Sequence, residues 1–103
     1  MLYSGDFTAE VYYVYITANK NKSIIYTGVS TDWRQSIEEH REDAQGVKQT
    51  FPGRHNCEWL LLLEEYGTPI EAIRRERQIK SWVRAKKEAL ISSVNPKWRF
   101  LNK

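Results

Sequence analysis

Apolar and polar positions change rhythm several times along the chain. Val11-Tyr12-Tyr13-Val14-Tyr15-Ile16-Thr17 is dense in β-branched and aromatic residues and predicts a strand over 11–17. Asn19-Lys20-Asn21-Lys22 supplies turn chemistry, and Ser23–Ser30 predicts a second strand, so the two form an antiparallel hairpin. Ser30-Thr31-Asp32 offers capping side chains for a helix from about Asp32 to Ala44. Trp33, Ile37 and Ala44 mark one side of that helix, His40 lies nearby, and Gly46 ends it. Residues 45–56 read as a polar loop broken at Phe51-Pro52-Gly53. The apolar run within Cys57–Glu64 is short enough for a buried central strand. Thr68 as N-cap, Pro69 at the first position and Glu71 as capping-box acid open a helix that runs to about Val83. A further helix, continuous with it at first, covers Ala85–Val94 and stops at Asn95-Pro96. Residues 1–10 lack periodicity and form a lead-in, while Trp98 and Phe100 in the tail are placed to pack back. The order β-β-α-β-α-α predicts an α/β (α+β) fold, a small three-stranded antiparallel or mixed sheet flanked by helices, in one domain spanning residues 1–103.

Composition narrows the class. With 41% hydrophobic residues in 103, only a modest core can be buried. Four Trp, six Tyr and three Phe are too many for it, so some belong to the surface or to a site. A single cysteine, Cys57, excludes an internal disulfide and a multi-cysteine zinc site. No apolar run is long enough to span a membrane, and the first residues lack the pattern of a signal peptide, which makes a soluble cytoplasmic protein the default. Net charge is +3, but unevenly spread: residues 1–70 hold six Lys/Arg against ten Asp/Glu, and residues 71–103 hold ten against three. The basic final third suits a polyanionic partner such as nucleic acid; the ordinary alternative is a solvated helix face.

A few residues look out of place. At 100° per residue, Ala72, Ile79 and Val83 cluster on one side of the helix after Pro69, with Ile73 at the margin, and Glu76 falls among them. A carboxylate there needs a cation, a metal or a water-filled cleft. The alternatives are a salt bridge to Lys80, one turn on, or a helix rotated to expose it. His40 is either an ordinary helix histidine or an acid–base group working near neutral pH; His55 carries no assignment. Tyr15 and Tyr26 fall on neighbouring strands and share a face in a suitable register. Strand tyrosines are commonly packing residues, yet a phenol can also orient a water or accept a proton.

Taken together these segments resemble the GIY-YIG nuclease superfamily, most closely its small stand-alone bacterial members and the nuclease domain of excision-repair enzymes. The similarity runs from about Val11 to Leu101. Tyr13-Val14-Tyr15 looks like the first motif, with Tyr13 where the name has glycine, and Tyr26-Thr27-Gly28 looks like the second. His40 falls at the family's helix histidine, Ala72–Lys80 resembles the segment with the metal-binding glutamate, and Asn95-Pro96-Lys97-Trp98 matches the closing stretch. The resemblance implies hydrolysis of nucleic-acid phosphodiesters, in DNA repair or recombination, with a divalent metal, Mg2+ or Mn2+. Glu76 would hold that metal, Tyr15 or Tyr26 would orient or deprotonate the water, and His40 would assist proton transfer or hold a tyrosine.

One position departs from the family. Its first-helix arginine stands ten residues after the second-motif tyrosine, and here that residue is Ser36. An arginine would bind the phosphate and stabilise developing charge; serine is neutral and short. Arg34 and Arg41 lie off that helix face. Arg34, Arg74, Arg75, Arg77, Lys80, Arg84 and Lys87 are the candidates for tracking a DNA backbone without reading sequence, the alternative being that several only solubilise the helices. The expectation is thus a metal-dependent endonuclease weakened at Ser36. A nucleic-acid-binding module with reduced or lost catalysis is the second reading, and a protein-interaction domain using exposed aromatics is the third.

Overall fold

The computed structural model describes residues 11–45, 52 and 55–102, with backbone alone for 43–45. The expected lead-in over residues 1–10, Ala44 on its helix face, Gly46 as helix stop and most of the 45–56 loop lie outside the described residues.

Among the described residues the chain forms β1 (Tyr12–Ala18), β2 (Ile25–Ser30), α1 (Trp33–Gln45), β3 (Trp59–Tyr66), α2 (Pro69–Lys80) and α3 (Arg84–Val94). This is the expected β-β-α-β-α-α order. The sheet is antiparallel throughout, with strand order β2-β1-β3. The leucine-rich strand β3 is therefore at an edge rather than central, and the tyrosine-rich β1 takes the middle. The C-terminal tail explains how an edge strand can be so apolar. Leu101 donates its amide to the Leu60 carbonyl at 2.8 Å, and Asn102 Oδ1 accepts from the Leu60 amide at 2.7 Å. Asn95 Nδ2 donates to the Leu61 carbonyl at 3.0 Å, and Trp59 stacks near Phe100. The tail satisfies backbone groups that an open edge would expose.

The sheet has two covered faces. Val14, Ile16 and Ala18 of β1 join Leu61 and Leu62 of β3, Ala72 and Ile79 of α2 and Ile91 of α3 in the larger core. On the other face Tyr15, Leu60 and Ile37 of α1 form a smaller core with Tyr26, Trp33 and Leu63. A register shift between Ile16 and Thr17 lets the four leucines serve both faces: Ile16 pairs with Leu62 and Thr17 with Leu60. The extra residue, Leu61, joins Leu62 in the larger core, a division that strict alternation would forbid.

Local chemistry places the helices. Asp32 Oδ1 accepts from the Gln35 amide at 3.1 Å at the start of α1. Thr68 Oγ1 accepts from the Glu71 amide at 3.3 Å, and Pro69 occupies the first turn of α2, as the sequence predicts. The expected run to Val83 does not form. The Ser81 amide is shared between the Arg77 and Gln78 carbonyls, and Ser81 Oγ donates to Gln78 O at 2.7 Å. Val83 is extended and begins α3 instead of extending the apolar face of α2; it is 72% exposed.

Candidate active site

The site follows from strand register. Tyr15 pairs with Gly28 and Thr17 with Tyr26. Residues two apart on a strand share a face, so Tyr15, Thr17, Tyr26 and Gly28 all point to the α1 side. The ring centroids of Tyr15 and Tyr26 are 6.4 Å apart. His40, in the second turn of α1, sits over both: 6.2 Å from Tyr15 and 5.6 Å from Tyr26, edge-on to the latter. Gly28 is required by this arrangement. A Cβ there would fall on Cζ and the hydroxyl of Tyr15 and lie 2.8 Å from Cε1, so no other residue lets the phenol lie across β2.

Tyr15 is buried, and burial pushes its phenol well above the ordinary value near 10, with proximity to Tyr26 as the next cause. The carboxylates of Glu39 and Glu76 push the same way, while a hydrogen bond with Ser36 acts in opposition. Tyr15 is therefore a neutral hydrogen-bonding group at physiological pH.

Ser36 is half-buried. Its Oγ donates to Ser30 Oγ at 2.7 Å and lies 3.1 Å from the Asp32 carbonyl. Its hydroxyl serves the β2–α1 junction, also meets the Tyr15 phenol, and brings no charge to the rings.

Glu76 belongs to α2, which packs on the opposite face of the sheet, yet it communicates with the rings past the edge strand β2. Its Oε2 is 2.7 Å from Lys80 Nζ, and that ammonium stands 5.6 Å from the Tyr26 ring centroid. Of the alternatives open in the sequence, Glu76 takes the salt bridge to Lys80. Its side chain is only 14% exposed, against 45% for Lys80. The structure thus groups Tyr15, Tyr26 and His40 directly and adds Glu76 through Lys80.

The other basic candidates divide. Arg75 makes a two-pronged bond to Glu64, at 2.9 and 3.1 Å, and lies over the Trp82 ring. This pairing raises its pKa. Arg84 donates to the carbonyls of Lys22 and Ser23, both at 2.6 Å, and to Glu88 at 2.7 Å. Both cations thus make structural contacts within the chain. Arg34 lies over the Trp33 ring and is exposed; Arg74 and Arg77 are exposed and Lys87 half-buried. His55 is half-buried and its carbonyl lies 4.0 Å from the Cys57 thiol.

Sequence reasoning passed over Thr17 and Glu39, and it gave Lys80 as a backbone contact and as a possible partner of Glu76 but not as a neighbour of Tyr26. Thr17 was findable, since it stands two residues after Tyr15 on one strand. Glu39 carried no comparable signal. Lys80 reaches Tyr26 across a separation of 54 positions, which no local pattern encodes.

The family model described as the GIY-YIG catalytic domain matches residues 11–89. A UPF0213 protein of Natronomonas pharaonis is 36% identical over 81 residues, covering 79% of this chain and 91% of its own. One from Staphylococcus saprophyticus is 38% identical over 81 residues, covering 79% and 94%. The solution NMR structure of a UPF0213 protein from Bacillus halodurans superposes with a TM-score of 0.53 at 34% identity, over 85% of this chain and 89% of that one. No helix among the described residues is long and apolar enough to cross a membrane. With the catalytic-domain match spanning both tyrosine strands, the histidine helix and the glutamate helix, this chain belongs to the GIY-YIG family.

Proposed function

We propose that this protein is a divalent-metal-dependent endonuclease that hydrolyses DNA phosphodiesters, with catalysis weakened by serine at position 36. The observation that carries the reading is the packing of the Tyr15, Tyr26 and His40 rings beside the Glu76–Lys80 pair. Three side chains able to donate or accept protons meet a carboxylate that already attracts a cation.

The donor set fits a hard, hydrated dication. Glu76 is a single, largely buried carboxylate, and no group of three His, Cys, Asp or Glu that could hold an ion exists among the described residues. Mg2+ or Mn2+ suits one carboxylate supplemented by waters and substrate phosphate. When bound, such an ion would offset charge on the scissile phosphate and the leaving oxygen. Tyr15 Oη, held neutral by burial, would donate a hydrogen bond that orients the water or a phosphate oxygen. Proton acceptance then falls to Tyr26 or His40, which face each other edge to ring. Arg34, Arg74, Arg77 and Lys87 remain available to follow a DNA backbone.

The test is cleavage of branched and linear DNA with Mg2+ or Mn2+ by the wild type, Glu76→Ala and Ser36→Arg. We expect weak cleavage that Glu76→Ala abolishes and Ser36→Arg raises by about 10²–10³-fold, the effect of gaining one well-placed donor to a developing oxyanion. Cleavage that survives Glu76→Ala intact would sink the mechanism.

Ser36 itself favours a second reading, a nucleic-acid-binding module without catalysis, because its hydroxyl is engaged with Ser30 and Asp32. Tight DNA binding by both forms, with no cleavage by either in any metal, would select that reading.

A further inference from the structure

Lys80 occupies an unusual place among the cations of this molecule. Arg75 is held by Glu64, Arg84 by two turn carbonyls and Glu88, and Arg41 by Glu38 and Glu58. Arg34 is laid over Trp33. Among the described residues Lys80 alone touches both halves of the site, with Glu76 at 2.7 Å on one side and the Tyr26 ring at 5.6 Å on the other. Its side chain is 45% exposed on a flexible four-carbon stem at the last position of α2. The first-helix position that carries the family's cation is neutral Ser36.

We infer that Lys80 is a movable phosphate clamp: it neutralises Glu76 in the resting protein and turns to the substrate phosphate when a dication occupies that carboxylate. This rests on the endonuclease reading. The physical argument is competition. An ammonium and a dication cannot share one carboxylate oxygen without strong like-charge repulsion. Lys80 is 45% exposed, so its ammonium can return to water, and the dication rather than the lysine then balances the largely buried Glu76 carboxylate. The lysine stem keeps the released charge near Tyr26, so a phosphate approaching the rings meets a cation from α2 in place of the absent one from α1. Lys80 would thus supply from the far side of β2 the charge that Ser36 cannot.

The experiment measures two bindings on the full chain. Mn2+ affinity is read by titration calorimetry, and affinity for a labelled branched DNA is read with and without Ca2+, a dication that permits binding. Lys80→Met should bind Mn2+ about two- to fivefold more tightly, because a competing cation is gone. It should also lose about tenfold or more of the Ca2+-dependent gain in DNA affinity. Lys80→Arg should retain that gain, and adding Ser36→Arg to Lys80→Met should restore it. Lys87→Met, on α3, should weaken DNA binding equally with and without Ca2+. If Lys80→Met weakens Mn2+ binding or leaves it unchanged, or behaves towards DNA as Lys87→Met does, the clamp is wrong and Lys80 is an ordinary backbone contact. A Glu76→Gln variant with undiminished Mn2+ affinity would instead remove the endonuclease reading and the clamp with it. Circular dichroism distinguishes each result from misfolding.

Discussion

The two faces of the sheet are made from the same three strands and follow different rules. On the larger face, Val14, Ile16, Leu61, Leu62, Ala72, Ile79 and Ile91 are sealed and aliphatic, with the buried ring of Tyr12 beside them. Dispersion and burial are their whole contribution. On the smaller face the buried Ile37 and Leu60 share the space with polar groups: the buried Tyr15 phenol and Thr17, and the half-buried Tyr26 and His40 beside them. β1 changes character at each residue because its side chains alternate between a core and a site. A small domain can therefore leave one face of a three-stranded sheet to polar rings, provided the other face carries the stability.

That division implies opposite responses to substitution. The largest loss of stability should come from the aliphatic face. Leu61→Ala removes a sealed side chain at the register shift and should cost about 2–5 kcal/mol in urea unfolding. Mn2+ affinity of the folded fraction should stay within twofold of the wild type. A Leu61→Ala protein that unfolds as the wild type does would break the comparison, since it would mean that the aliphatic face does not dominate stability.

Gly28→Ala is the corresponding probe of the site face. The new methyl would collide with the Tyr15 ring, so either the ring or β2 must move. The expected cost is about 1–3 kcal/mol, an overpacking effect. Unlike Leu61→Ala, it should also disrupt the contact of Tyr15 with Tyr26 and His40, visible as changed ring proton shifts by NMR and as lost cleavage. Stability lost with the ring contacts intact would show that Gly28 serves only the strand.

Much of this was legible beforehand. Apolar periodicity gave the element order, and the resemblance to the GIY-YIG superfamily brought Tyr15, Tyr26, His40 and Glu76 together as candidates. The hidden parts were those that depend on contacts between distant segments. A run of four leucines carries no mark of the extra residue that divides it between two cores. Nor does it show that a tail asparagine and leucine will close its edge. The helix wheel placed Val83 beside Ile79, but the shared carbonyls at Ser81 end α2 three residues earlier than the pattern suggests. Helical geometry left Glu76 open to a metal, a water-filled cleft, a salt bridge to Lys80 or exposure; in the fold it pairs with Lys80, and what the helix alone could not show is that this lysine also stands over Tyr26.

A smaller effect concerns alkali. The Cys57 thiol is pushed by burial from 9.0 up to about 11, and Tyr15 is pushed well above 10. In each case the folded state keeps a proton that the unfolded state has lost. Stability is therefore fully present below about pH 9 and falls as pH rises, first through Cys57 and from about pH 10 through Tyr15 as well. Each group contributes about 1.4 kcal/mol per pH unit within its window. Tyr15→Phe should flatten the fall above pH 10 while leaving the part that begins near pH 9. Equal slopes in both proteins would place the alkaline sensitivity outside the site face.

The smallest effect tests where the two faces are tied together. Arg84 sits in the first turn of α3, on the aliphatic side, and grips the carbonyls of Lys22 and Ser23 at the turn joining the two tyrosine strands. Its charge places it among the expected DNA contacts, whereas its bonds make it a strut. A strut predicts that Arg84→Met costs about 1 kcal/mol, the net worth of hydrogen bonds exchanged for water. It also predicts faster amide exchange at Ile24, whose amide bonds to Asn19 Oδ1 in the same turn, and little change in the salt dependence of DNA binding. A DNA contact predicts the reverse: unchanged exchange and stability, with the salt slope reduced by about one. The two outcomes separate cleanly because the same guanidinium cannot hold both carbonyls at 2.6 Å and lie along a phosphate backbone without releasing the hairpin that positions Tyr15 against Tyr26.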